Sequence, residues 1–169
     1  MPDIPAAALL LAGFTLAHAA WSVSDTTPDE LLTPLALIEA NGERLLHRYE
    51  APTQSEAIAH GKAEMLKLSR TADAWAFGRE GALRVPPQSP NTQDVLVVDF
   101  WAKGMAAPAT LVQRFARATK QTGFRVVGKP RISIDGHELD SAAAEPLVKT
   151  IQQGIASHKK VGPLWPTWQ

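Results

Sequence analysis

Cysteine is missing from this chain altogether. Its absence excludes disulfide frameworks, thiolate metal sites, iron–sulfur clusters and cysteine nucleophiles together. It leaves the compartment open, because a thiol-free chain is stable in either redox environment. The signatures of several chemistries are missing as well. There is no phosphate-cradling G-x-x-x-x-G-K-[ST], no G-x-G-x-x-G, no H-E-x-x-H and no G-x-S-x-G. The five histidines (His18, His47, His60, His137, His158) fall on separate expected elements without ligand spacing. With no thiolate to help them, neither a metal site nor a cofactor is expected. Net charge is missing too, since 17 basic residues balance 17 acidic ones.

What is present is ordinary globular material, 169 residues that are 45% hydrophobic and 20% charged. That length suits one domain. Burying roughly 70% of its unfolded surface lets such a chain stand without a disulfide or metal. The neutral total hides an asymmetry. Residues 1–99 carry seven Lys/Arg against thirteen Asp/Glu, whereas residues 100–134 carry seven basic residues and no acid. Residues 135–169 return to near balance, with four acids against three bases. This is the least generic feature of the sequence.

The run from Ile4 to Ala17 is nearly continuous apolar, and Ala17-His18-Ala19 has the form of a signal-peptidase site. Two features oppose an export signal. Asp3 precedes the run, where export signals carry Lys or Arg. Thr15, His18, Ser22 and Asp25 recur at spacings of three, four and three, a polar helical stripe that crosses the supposed cleavage point. The apolar run is also shorter than the roughly 18 residues of a membrane span. A buried N-terminal helix in a cytoplasmic, bacterial-type protein is therefore expected, with no membrane and with export as the alternative.

Along the chain, a first helix is expected from Pro5 to Thr26-Thr27-Pro28, with one further turn at the Thr27–Glu30 capping box. Residues 35–40 and 43–49 flank Asn41-Gly42, the dipeptide of a type I′ hairpin. Thr53-Gln54-Ser55-Glu56 opens a helix to Leu68, apolar at Ile58, Gly61, Met65 and Leu68. Ala74–Gly78 alternates small and aromatic residues, so one strand face is bare enough for a helix to approach closely. Glu80-Gly81 reads as a turn into 82–85, and 86–92 as a proline-rich loop. Strands follow at 95–102, 110–118, 124–128, 132–134 and 137–139, then a helix from Glu145 to His158. The sum is an α+β fold, a mainly antiparallel meander of hairpins with helices packed on it, in the order α-β-β-α-β-β-β-β-α. It occupies residues 1–161, and 162–169 form a Pro/Trp-containing tail set too close to its prolines for a helix. In element order this resembles the roadblock-like and profilin-like folds and the secretion chaperones, without a motif that carries their function across.

The basic segment supplies the first candidates for a binding face, Arg114, Arg117, Arg125, Lys129 and Arg131. Strand parity sets Arg125, Lys129 and Arg131 on one face, which Arg114 and Arg117 cannot both join without a bulge. The bland alternative is a solvated sheet face. Trp165 and Trp168 either fold back onto the domain or dock on another chain. Asp99 lies inside the most apolar strand and needs a partner there, which Arg114 or Arg117 could supply from the next strand. As pocket residues, Asp99, His18 and His60 are the candidates. His60 has Glu56 and Glu64 one turn away on either side, an arrangement equally typical of an exposed ion-pair stripe. His18 interrupts an apolar helix, as a core-edge histidine does. No nucleic-acid partner is expected, because the net charge is zero and no aromatics interleave the basic residues. The balance favours a non-enzymatic protein-binding or assembly module, self-associating or binding an acidic partner or small anion. The alternative is a small enzyme or anion-binding protein with a pocket around Asp99.

Overall fold

Residues 3–27, 29–84 and 90–169 are described by the computed structural model of the chain. They form α1 (Ala6–Val23), β1 (Leu35–Ala40), β2 (Glu43–Arg48), α2 (Gln54–Leu68), β3 (Ala74–Arg84), β4 (Thr92–Ala102), β5 (Ala109–Ala116), β6 (Arg125–Ile134), β7 (His137–Glu138), α3 (Ser141–Ala156) and α4 (Trp165–Trp168). All strands join one antiparallel sheet in the order β2-β1-β3-β4-β5-β6-β7. The expected α+β class holds; the strand expected at 137–139 is the two-residue β7, and the single-turn α4 is added.

Turn chemistry sets the hairpins. Asn41 and Gly42 take φ of 53° and 78°, the type I′ pair that matches strand twist, and Asp135-Gly136 repeats it at 52° and 79°. Side-chain size then decides the layers. The bare face of β3, at Ala74, Ala76 and Gly78, lies under α1, and Thr15 Cγ2 stands 3.5 Å from where a Cβ on Gly78 would be. On the opposite face, α2 lays Gly61 and Met65 over a second core of Trp75, Phe77 and Trp101. A Cβ on Gly61 would fall 2.3 Å from the Phe77 ring. Thr53 caps α2, its Oγ1 accepting from the Glu56 N–H at 3.2 Å.

Helix α3 crosses α1 with backbone against backbone. A Cβ on Gly13 would fall 2.0 Å from the Ile151 carbonyl oxygen, and one on Gly154 would fall 2.2 Å from that of Leu10. Eleven of the 18 residues of α1 are buried. The helix is longer than the expected apolar run, and its 18 residues at mean hydropathy 1.6 would suffice by length and composition to cross a membrane.

Five local expectations fail. The strands expected at 124–128 and 132–134 are one, β6, which takes up residues 128–130 as a register break and not as a turn. β3 is one strand without a turn at Glu80-Gly81, because its pairing with β4 runs unbroken there, Glu80 opposite Leu96 and Gly81 opposite Val95. At Thr27–Glu30 the Glu30 N–H donates to the Thr27 carbonyl at 3.0 Å, making a turn and no helix; Pro28 lies outside the described residues. The last long helix begins at Ser141 and not at Glu145, because Asp140 caps it by accepting from the Ala143 N–H at 2.8 Å. The tail is helical after all, since Pro166 falls in the first turn of α4, where a missing N–H costs nothing. The proline-rich loop falls mostly on residues 85–89, outside the described residues, and Thr92 already belongs to β4.

Candidate functional site

The basic segment contains a break in the sheet. Val112 pairs with Arg131 and Arg114 with Val127, so residues 128–130 of β6 oppose Gln113 alone. Such a bulge leaves carbonyls without ladder partners. Gln113, buried in β5, supplies them, its Nε2 donating to the carbonyls of Arg114, Val127 and Gly128 at 3.0, 3.2 and 3.0 Å. Gly128 takes φ +71°, and the Arg114 guanidinium lies over it with Nη2 2.7 Å from the place of a Cβ. The bulge does not bring Arg114 and Arg117 onto one face, and the parity that separated them stands. By register Arg114, Arg125 and Arg131 share one face.

Where β6 bulges, a cleft of about 590 Å³ opens between it and α3. Arg114, Lys129 and Arg131 line it from the sheet and Lys149 from α3, against two carboxylates, Glu138 and Glu145. Both acids already have partners, Arg131 to Glu138 at 3.8 Å and Lys149 to Glu145 at 4.0 Å, in pairs open to solvent. Arg114 and Lys129 have no carboxylate partner among the described residues. The walls beneath are apolar, at Ala144 and Val148. A cleft of this kind can seat an anionic chain, with cations at its mouth and small side chains at its floor.

The other candidates are placed elsewhere. Arg125 is exposed on the same face but outside the cleft. Arg117 is structural, its guanidinium donating to Glu80 at 2.7 Å and to Asp94 at 3.0 Å with only 8% of the side chain exposed. Burial works against its charge, and the two carboxylates outweigh burial to raise its pKa above the ordinary guanidinium value. Asp99 pairs with neither Arg114 nor Arg117. Its partners are Arg79 of β3 and the Thr110 hydroxyl, which donates at 2.8 Å. Asp99 borders a mainly apolar cavity of about 270 Å³ with Lys62, Met65, Leu66, Trp75, Phe77 and Pro108. None of Arg114, His18 and His60 lines it. His60 meets the Tyr49 ring edge-on at 5.6 Å between centroids. Trp165 and Trp168 are buried in the main core, Trp168 edge-on to Phe124 at 4.8 Å between centroids, so the tail folds back onto its own domain.

His18 finds a partner that its spacing in sequence conceals. Its Nδ1 lies 3.1 Å from Nε2 of His158, at the end of α3. His158 Nδ1 accepts from the amides of Lys160 and Val161 at 3.3 and 3.1 Å, so its proton sits on Nε2 and is donated to His18. Both rings are therefore neutral, and a further proton breaks one of these bonds. Burial holds both pKa values below the ordinary imidazole range, and for His18 the neighbouring His158 and Arg48 push the same way. Unfolded histidines take up protons near 6.5, while the folded pair resists until a lower pH. The unfolded state thus binds more protons in that window, and stability falls as pH drops below about 6.5. Urea midpoints measured at about pH 7.5 and about pH 5.5 check this, and the drop is expected to shrink in His158→Gln. An unchanged midpoint in the native chain would show the pair to be indifferent to protons.

Sequence reasoning missed Gln113, Lys149 and His158. Gln113 carried a signal, a polar residue at an inward parity between Leu111 and Phe115. Comparisons with protein families, curated proteins and solved structures find no match for the chain.

Proposed function

We propose that the chain is a non-enzymatic binding module that takes up an acidic polypeptide segment in the cleft between β6 and α3. One observation carries this reading: Arg114 and Lys129 line a groove of about 590 Å³ and have no carboxylate partner among the described residues. An acidic chain entering it meets cations already gathered by the bulge, which favours rapid, salt-sensitive capture. The pocket beside Asp99 supports the enzymatic alternative less well. Its carboxylate is engaged by Arg79 and by the Thr110 hydroxyl, as in a structural cross-strand pair, and neither histidine candidate lines the cavity. A cytoplasmic location goes with this reading, since α1 is occupied by the sheet and α3.

The triple variant Arg114→Glu/Lys129→Glu/Arg131→Glu tests it, with a synthetic Glu/Asp-rich peptide as probe and a neutral peptide of equal length as control. The native chain is expected to bind the acidic peptide, more weakly as salt rises. The variant is expected to lose at least about tenfold in affinity, corresponding to about 1.4 kcal/mol. Equal binding by native and variant chains would remove the cleft from consideration.

A further inference from the structure

The two free edges of the sheet are finished differently. Apart from its pairing with β7 at Ser133 and Ile134, β6 runs along an outer edge. That edge carries Gly128 at φ +71°, Pro130, the register break and the cations Arg125, Lys129 and Arg131. Each of these discourages a neighbouring strand. At the other edge β2 has no proline, no glycine and no break, and its six residues pair with β1 in unshifted register. Leu45 and Leu46, on opposite faces, stand 53% and 43% exposed. Both edges carry cations, Arg44 and Arg48 on β2, but Arg44 is paired with Glu39 at 3.2 Å and the β2 backbone is regular, so β2 is the edge left open to a strand.

Hairpin geometry decides which backbone groups of β2 face outward. A two-residue type I′ turn makes Ala40 and Glu43 a hydrogen-bonded pair, and such pairs alternate along the ladder. Glu43, Leu45 and His47 therefore bond β1. Tyr49 continues the series, its N–H donating to the Pro34 carbonyl at 2.9 Å. Arg44, Leu46 and Arg48 turn their N–H and C=O groups away from the sheet, and these find no backbone partner among the described residues.

We propose that β2 is a homodimer interface, pairing antiparallel with β2 of a second copy and carrying the sheet across a two-fold axis. Such an axis sets one residue against its own copy. With Leu45 on the axis, Arg44 and Leu46 exchange backbone bonds with Leu46 and Arg44 of the second copy. Leu45 then meets Leu45, and Glu43 lies opposite His47. Shifting the axis to Leu46 sets Arg44 against Arg48 of the second copy, and shifting it to Arg44 sets that arginine against itself. Both are like-charge pairs. Of these three registers the one centred on Leu45 avoids a like-charge pair, and that self-complementarity is why the occupant is a second copy. The interface lies at the opposite edge from the β6 cleft and leaves that cleft open in both subunits.

Light scattering is expected to give a mass twice the 18.2 kDa of one chain. Leu46→Pro removes only an outward N–H, so it is expected to halve the mass while the circular dichroism stays native. A readout independent of folding damage comes from thiols placed in this cysteine-free chain. Leu45→Cys faces itself across a non-hydrogen-bonded pair with Cα atoms about 4.5 Å apart, within disulfide reach, and is expected to cross-link on mild oxidation. Leu46→Cys faces Arg44 and is expected to remain a thiol. A single-chain mass at every concentration overturns the proposal. So does a dimer in which Leu45→Cys fails to cross-link or Leu46→Cys links as readily.

Discussion

Gly154→Ala is expected to destabilise the fold by about 3 kcal/mol or more, the upper end of what overpacking costs. In an isolated helix the same change would stabilise by about 1 kcal/mol, since alanine is the better helix former. The sign reverses because the new Cβ would stand 2.2 Å from the Leu10 carbonyl oxygen and 2.9 Å from its carbon. Those atoms are backbone and cannot rotate away. To admit a methyl group the two helices must part, and parting loosens every side chain that α1 and α3 share. Gly13→Ala meets the Ile151 carbonyl oxygen at 2.0 Å and is expected to behave alike. Urea unfolding of the two variants measures this. A raised midpoint in either would mean that the helices do not touch at this crossing.

Arg117→Leu is expected to cost about 3–5 kcal/mol, the range found when one member of a buried ion pair is removed. Glu80 is the reason. Its side chain is 5% exposed, and it accepts from Arg117 and from the Leu32 N–H at 3.1 Å. Without the guanidinium it is a charge with one amide donor and almost no water. The double variant Arg117→Leu/Glu80→Leu is expected to recover much of the loss, because two apolar groups of similar size need no compensation. Asp94, 42% exposed, keeps its solvent and adds little. Chemical denaturation of the single and double variants decides the matter. If the double variant is no more stable than Arg117→Leu alone, the pair is not what holds this corner.

The parts of the fold legible in the sequence are those fixed by neighbouring residues. Asn41-Gly42 and Asp135-Gly136 announce their turns because few other residues accept positive φ. Thr53 and Glu56 mark the start of α2 by the bond they make. The small-large alternation of β3 foretold that a helix would lie close on one side, and α1 does. What was hidden depends on register between distant strands. Reading Glu80-Gly81 as a turn cut β3 short, which removed Arg79 from the strand beside Asp99 and made Arg114 and Arg117 its natural partners. The glycine is an in-register strand residue there, paired with Val95 of β4.

The candidate site was half legible for the same reason. The cluster of cations stood out by composition, but its division did not. Arg117 went to a buried pair, Arg125 to open solvent, and Arg114, Lys129 and Arg131 to the cleft. That division follows from a bulge whose local signs, Gly128 and Pro130, give no hint of how many residues oppose Gln113. The two tryptophans of α4 were visible as a pair, yet only Phe124 beneath Trp168 shows where they go.

The crossing of α1 with α3 also sets an order of events during synthesis. Helix α1 is completed by α3, which is made much later, since Gly13 and Leu10 rest on residues 151 and 154. A ribosome-bound chain that has not yet emitted Ser141–Ala156 carries an apolar helix with one flank bare. Until that segment emerges the flank is aggregation-prone, and protection of α1 from proteases is expected to come late and all at once.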